Sequence, residues 1–243
     1  MPEGPSLIIA KEEAHSFEGQ VVLSAEGNAK IDMDRLQNKK LNAIKTWGKH
    51  LLLCFDGFTL RIHFLLFGTY RINERKDALL RLGLTFSNGE LNFYTAAVKV
   101  LEGNVNDHYD WTEDVMNDHW DPESARLKLT AVPNKMACDA LLEQDIFSGV
   151  GNIIKNEVLY RVHIHPESLV GKIPPEKIDA MITEARNYSF DFLHWKQNYE
   201  LKKHWLAHSK KTCMRCNLPF HKEYTGYKKR RSFFCTNCQE LYS

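Results

Sequence analysis

The chain has 243 residues, 43% hydrophobic and 26% charged, proportions of an ordinary globular protein that exclude a disordered or fibrous chain. No apolar run approaches the roughly 18 residues of a membrane span, and the start lacks the apolar core of a secretory signal, so a cytoplasmic, intracellular protein is expected. The net charge of +1 hides an asymmetry: residues 201–243 carry +8 and the remainder −7, which points to a polyanionic partner, with a solvated basic tail as the alternative.

In chain order, the spacing permits a short helix over residues 11–17 that would hold the extreme N-terminus. From residue 21 to 94, short β-branched and aromatic runs are broken by turn residues. Asp56 and Gly57 separate two such runs, 50–55 and 58–64, and predict a hairpin; Ser87, Asn88, Gly89 and Glu90 separate 82–86 from 91–94 and predict another. An antiparallel β-sandwich or barrel-like sheet follows. Cys54 and Cys138 each sit in apolar stretches and are read as small buried hydrophobes.

The character changes after Trp120. Asp121, Pro122 and Glu123 form a helix start, and the next 85 residues carry helical apolar spacing. Ile178, Met181, Ile182, Ala185 and Tyr188 trace one helical face after Pro174 and Pro175, most simply a core stripe. Phe147, Ser148, Gly149, Val150, Gly151 and Asn152 form a tight turn opening a helix over 153–162. Gly149, Gly151 and Asn152 there could meet a phosphate, or serve only as a helix–helix turn. Residues 209–243 are too few to bury a core and need a staple. The expected domains are therefore 1–121, 122–208 and 209–243 in an α+β multidomain chain.

That staple is visible as Cys213, Cys216, Cys235 and Cys238, two CxxC pairs separated by 18 residues. Four thiolates close a tetrahedron around one structural zinc ion and leave no open position for catalysis; iron, or four unligated cysteines, are the competing readings. Between the pairs, Tyr224 to Phe234 read as a hairpin with Lys228, Lys229, Arg230 and Arg231 at its turn, available to phosphates. To this point the residues describe a nucleic-acid-binding module without choosing DNA or RNA.

Met1, Pro2, Glu3, Gly4 and Pro5, the Trp47, Gly48, Lys49, His50 motif, the segment 141–166 and the terminal cysteine quartet followed by Gln239 together resemble the formamidopyrimidine-DNA glycosylase and endonuclease VIII family. The resemblance spans nearly the whole chain, with motifs in the family's order. It implies an N-terminal β-sandwich, a helix–two-turn–helix domain and a C-terminal zinc-finger hairpin in a base-excision repair enzyme with glycosylase and lyase activities. Removal of Met1 would leave Pro2 as a secondary amine. An α-amine of pKa about 7.8 has roughly 300-fold more free base at pH 7 than a lysine of pKa about 10.4. By the resemblance, Pro2 attacks the sugar C1′, Glu3 acts as general acid toward the ring oxygen, Lys49 holds a phosphate and assists β-elimination, and Arg230, with Arg231 as the one-residue alternative, clamps the lesion phosphates and assists δ-elimination. Asn152 contacts the backbone. Leu65, Leu66 and Phe67 would fill the gap left by the extruded nucleotide, buried strand residues being the alternative.

The Met-Pro-Glu-Gly-Pro start and Leu66, Phe67, Gly68 resemble the endonuclease VIII branch, and Tyr94 to Lys99 lack the Asp-Pro-Arg loop of the other. Oxidised pyrimidines are the expected lesions and damaged double-stranded DNA the partner of a nucleoid-associated monomer, with an 8-oxoguanine or formamidopyrimidine specificity as the alternative. Ser6 stands where the family commonly has Glu, and Leu65 replaces a polar residue. A catalytically silent DNA-binding relative and a zinc-ribbon component of a transcription or translation complex are the other readings; the second leaves the N-terminal motif idle.

Overall fold

The structure, a computed structural model, describes residues 2–243; Met1, and with it the expected removal of that residue, lies outside them. The chain forms two compact units, residues 1–110 and 111–243. None of the described helices is long and apolar enough to cross a membrane.

The first unit opens with helix α1, Gly4–Ala14, followed by a 3-10 turn, His15–Phe17. The helix thus begins seven residues before the predicted start. Pro5 sits in the first turn, where its missing N–H breaks no bond and its fixed φ already suits a helix. Leu7, Ala10 and Ala14 then form a buried face.

Six strands follow: β1 Ser24–Glu26, β2 Ala43–Trp47, β3 His50–Phe55, β4 Phe58–Ile72, β5 Leu80–Phe86 and β6 Gly89–Glu102. They make one antiparallel sheet in the order β1-β5-β6-β4-β3-β2. The first predicted hairpin turn is Asp56 and Gly57, with Phe55 facing Phe58. The second is tighter than expected, because Phe86 already faces Gly89 across Ser87 and Asn88 alone. Strands β4 and β6 run through both halves of the sheet, joined to β3 and β2 at one end and to β5 and β1 at the other. Leu51, Leu53, Leu60 and Ile62 from one half share a single core with Leu82, Leu84, Leu91 and Phe93 from the other. Cys54 is only half-buried, a correction to its reading as a core residue; Cys138 is buried.

The second unit holds α2 Pro122–Thr130, α3 Ala137–Ala140, α4 Asn152–Arg161 and α5 Pro175–Gln197, then the hairpin of β7 His221–Thr225 and β8 Arg230–Phe234. Asp121 caps α2 by accepting the Glu123 N–H at 2.9 Å. The predicted stripe on α5 is buried, from Ile178 through Tyr188. The last residues are laced to the helical segment: the His165 N–H donates to the Glu240 carbonyl and the Leu169 N–H to that of Tyr242, both at 2.8 Å. The buried Glu157 carboxylate takes the backbone N–H groups of Leu206, Ala207 and His208 at 2.9, 2.9 and 2.7 Å. The residues before the hairpin are thereby pinned to α4.

Leu53→Ala removes a fully buried side chain from the shared core, and equilibrium denaturation should report a loss of about 2–5 kcal/mol. Leu66→Ala, at an exposed position, should stay within about 0.5 kcal/mol of the parent.

Candidate functional site

In the first unit the predicted N-terminal residues stand at the root of α1. Pro2 is half-buried, and Glu3 is 2% exposed with extended backbone, its carbonyl accepting the Ser6 N–H at 2.8 Å. The helix behind them is held at its far end by the Tyr70 hydroxyl, which donates to Glu13 at 2.5 Å, and just beyond it by Glu18, which accepts the Ile44 N–H at 2.6 Å. Lys49 sits in the two-residue turn between β2 and β3, and α1 packs on both of those strands. Gly48 turns with φ +52°, a left-handed conformation that glycine adopts without strain.

Beside that turn lies a cluster that sequence reasoning missed. The Trp47 indole N–H donates to the Asp110 carbonyl at 2.8 Å, and its ring packs 4.9 Å from that of Tyr109. The Tyr109 hydroxyl meets His50 Nδ1 at 3.2 Å, and His50 lies edge-on to His63, 5.6 Å between centroids. Burial, reinforced by Arg61, His63 and Lys49, pushes the His50 imidazole down to about 3. Burial, then Lys49 and Arg61, also lowers His63, and burial pushes Tyr109 up to about 12. The signal was available: a two-residue turn at Asp56 and Gly57, counted outward, makes His50 face His63.

Leu65, Leu66 and Phe67 fall where the pairing of β4 with β6 breaks, between Phe64 and Thr69. They are 44, 54 and 77% exposed, so the buried-strand alternative does not hold. Gly68 closes the bulge; a Cβ there would come within 2.8 Å of Phe64 Cα and of the Thr95 carbonyl.

In the second unit Gly149, with φ +99°, and Gly151, the N-cap, lead into α4 as expected. The Gly149 N–H donates to Gln144 Oε1 at 3.2 Å. Asn152 does not simply face outward: its side-chain amide donates to the Arg231 carbonyl at 3.0 Å, bringing this predicted residue onto the hairpin.

The four clustered cations do not act as one patch. Lys228 is committed to Glu143 at 2.9 Å and to the Leu142 carbonyl at 3.2 Å, because the hairpin turn is clamped by the Asp139 carboxylate through the Tyr227 and Lys228 N–H groups at 2.6 and 3.0 Å. Arg231 donates to the Tyr224 hydroxyl at 2.8 Å and lies over that ring. The side chains of the exposed Lys229 and of Arg230 make no hydrogen bond or ion pair among the described residues, and Arg230 is the guanidinium left to meet an external anion.

The four cysteines converge as predicted, their sulfurs within 4.8 Å of one another, with Cys213 and Cys238 3.7 Å apart. Sulfurs about 2.3 Å from one tetrahedral ion lie about 3.8 Å apart, so the donor set fits a closed four-sulfur metal site. Its surroundings are ordered to match. The Tyr160 hydroxyl meets Cys213 Sγ at 3.4 Å, the Asn237 amide donates to Cys216 Sγ at 3.1 Å, and Gln239 bridges the Cys235 N–H and the Ile164 carbonyl at 3.0 and 2.9 Å.

The formamidopyrimidine-DNA glycosylase H2TH domain matches residues 113–188. Endonuclease 8-like 3 of Xenopus laevis is 26% identical over 232 residues, which cover 90% of this chain and 38% of that protein. The formamidopyrimidine-DNA glycosylase of Lactobacillus helveticus is 27% identical over 240 residues, covering 86% of this chain and 85% of the relative. In fold, the chain superposes on the Lactococcus lactis formamidopyrimidine-DNA glycosylase, solved with a DNA containing an oxidised pyrimidine, with a TM-score of 0.87 and 21% identity over 98% of this chain and 100% of that one. The chain thus carries the H2TH domain of formamidopyrimidine-DNA glycosylases and is similar over most of its length to glycosylases of the formamidopyrimidine and endonuclease 8-like groups. It leans to the endonuclease VIII side, on which the Xenopus relative stands, and it spans 38% of that relative's length. The family's H2TH match takes in α2, α3, α4 and the first part of α5, the elements that carry Gly149, Gly151 and Asn152.

Two outcomes follow from this geometry. His50 has a folded-state pKa below its ordinary value, so above pH 6.5 it is neutral whether folded or unfolded; as pH falls from 6.5 toward about 3 the unfolded chain takes up the proton first and stability is lost. Denaturation midpoints measured across that range should fall less steeply for His50→Gln than for the parent. Treatment with a metal chelator, or replacing Cys238 by Ser, should raise amide hydrogen exchange across residues 211–238 while leaving strands β2 to β6 protected.

Proposed function

We propose that the protein is a bifunctional DNA glycosylase and abasic-site lyase of base-excision repair, acting on oxidised bases in double-stranded DNA, pyrimidines before purines. The observation that carries the proposal is the nearly fully buried Glu3 carboxyl immediately behind Pro2, at the root of a helix anchored in the sheet core. A buried carboxyl group adjacent to an amine that becomes the chain end when Met1 is removed suits acid catalysis beside a nucleophile.

In the proposed reaction the Pro2 nitrogen bonds to C1′ and the damaged base departs with its bonding electrons. Glu3 supplies a proton to the ring oxygen as the C1′–O4′ bond opens, which leaves an iminium between protein and sugar. That iminium draws electrons as a proton leaves C2′ and the 3′ phosphate is expelled. Lys49, half-buried on its tight turn, holds a phosphate for this β-elimination, and Arg230 assists the following δ-elimination. Gly149, Gly151 and Asn152 meet the DNA backbone at the start of α4, where oriented amides favour an anion. Leu65, Leu66 and Phe67, already held out in solvent, occupy the space of the extruded nucleotide. One structural zinc ion held by Cys213, Cys216, Cys235 and Cys238 keeps the hairpin folded and takes no part in the chemistry.

Untagged protein incubated with a duplex carrying 5-hydroxyuracil and then reduced with borohydride should give a covalent protein–DNA adduct. Pro2→Gly should lower adduct formation, and Glu3→Gln base release, each by about a hundredfold or more. A larger yield on an 8-oxoguanine duplex would move the specificity to the purine branch. The absence of any adduct on either lesion or on an abasic site would leave a DNA-binding relative without the chemistry.

A further inference from the structure

Lysine is almost never fully buried without partners that repay its desolvation. Lys155, at 0% exposure in the middle of α4, is such a residue, and the chemistry assigned to the family's motifs gives it no part. Its ammonium donates to Ser232 Oγ at 2.8 Å and to the Arg231 carbonyl at 3.2 Å. The side-chain amides of Asn152 and Asn156 reach the same carbonyl, at 3.0 and 3.3 Å, and Asn156 Oδ1 accepts the Phe233 N–H at 3.1 Å.

A two-stranded ribbon pairs only one edge of each strand. Strand β8 is bonded to β7 on one side, so the outward groups of Arg231 and Phe233 would otherwise be unpaired. Helix α4 supplies those partners from one face, at positions 152, 155 and 156. Lys155 alone among the three holds the strand in two ways, by its edge through the Arg231 carbonyl and by its face through the Ser232 hydroxyl. Because side chains alternate along a strand, Arg230 projects on the same face as Ser232. The Ser232 hydroxyl is in turn bonded to Thr225 on β7, so the grip extends to both strands.

We propose that Lys155 is a positioning residue: it locks β8 to α4 so that Arg230, the one unpartnered guanidinium of the hairpin, is presented in fixed register to a phosphate of the bound backbone. The inference rests on the DNA reading of the hairpin given above. Lys155 itself touches neither substrate nor reacting atoms. Its cation also lies near His208, whose imidazole burial and Lys155 together push down to about 4, so a second protonated group does not form beside it at neutral pH.

The test uses the full, metal-loaded chain in the forms Lys155→Met, Lys155→Gln and Ser232→Ala. Without DNA, hydrogen exchange at Phe233 and along β8 should rise about tenfold in Lys155→Met and remain near the parent in Lys155→Gln, which keeps a donor. On a duplex with an abasic-site analogue, the slope of log affinity against log salt should become shallower by about one contact in Lys155→Met, as in Arg230→Ala, and the double variant should lose no more than either single one. A purely structural role would lower stability while leaving the salt slope intact. Unchanged exchange at β8, or losses for Lys155→Met and Arg230→Ala that simply add, would overturn the proposal. Equal damage in Lys155→Gln and Lys155→Met would overturn positioning by hydrogen bonds. If Lys155→Met does not fold, Ser232→Ala carries the same exchange and salt readouts. A parent that fails to bind the duplex, with β8 loosened in Lys155→Met, would instead overturn the DNA reading and leave the lock.

Discussion

A ribbon of two five-residue strands buries too little apolar surface to stand alone, and half of its backbone groups face away from the partner strand. In this protein that deficit is met at three places. At the open end of the hairpin four sulfurs converge into a site of metal-binding geometry, and along its outer edge α4 supplies Asn152, Lys155 and Asn156 to the backbone of β8. At the turn, Asp139 takes two backbone N–H groups that no strand could satisfy. Residues from four separate stretches of chain therefore agree on one placement of the strand that carries Arg230. This is why the cysteine-bearing segment belongs to the same compact unit as the helices.

The first unit solves a different problem, holding Pro2 and Glu3 still. Pro5 starts the helix almost at once, Leu7 and Ala14 seat it in the core, and Tyr70 fastens its far end through Glu13. Little freedom remains for Pro2 and Glu3, whatever chemistry they perform. The neutral imidazoles of His50 and His63 have a related effect on Lys49. Because burial keeps them uncharged, they occupy the neighbourhood of that lysine without adding positive charge to it.

Much of this was legible in the sequence, for identifiable reasons. The fold class followed from the change of apolar period at Trp120, and the convergence of Cys213, Cys216, Cys235 and Cys238 from their spacing. The stripe on α5 kept its period and is buried. The start of α1 was missed because propensity over residues 4–10 is mixed, whereas tertiary packing of Leu7 and Ala10 decides it. The hairpin cations were read as one patch because charge runs look alike in sequence; Glu143 and Asp139, some 85 residues away, determine that Lys228 is spent on structure. Lys155 carried no signal at all, since a lone lysine in a helix reads as a solvated one.

Leu65, Leu66 and Phe67 show how local and global requirements can be opposed without loss of the fold. Three consecutive exposed apolar side chains in the middle of a strand add nothing to a core and would be removed by selection for stability alone. Strand β4 accommodates them by breaking its register with β6, so that Phe64 on one side and Tyr70 on the other still pack against each other, their rings 5.8 Å apart. Gly68 permits the close backbone approach that such a break requires. The sheet thus continues on both sides of a segment that it does not need, and the cost of exposing that segment is confined to the bulge. A feature insulated in this way from the rest of the core is free to meet a nonpolar surface outside the protein, which is what a gap between stacked bases would offer.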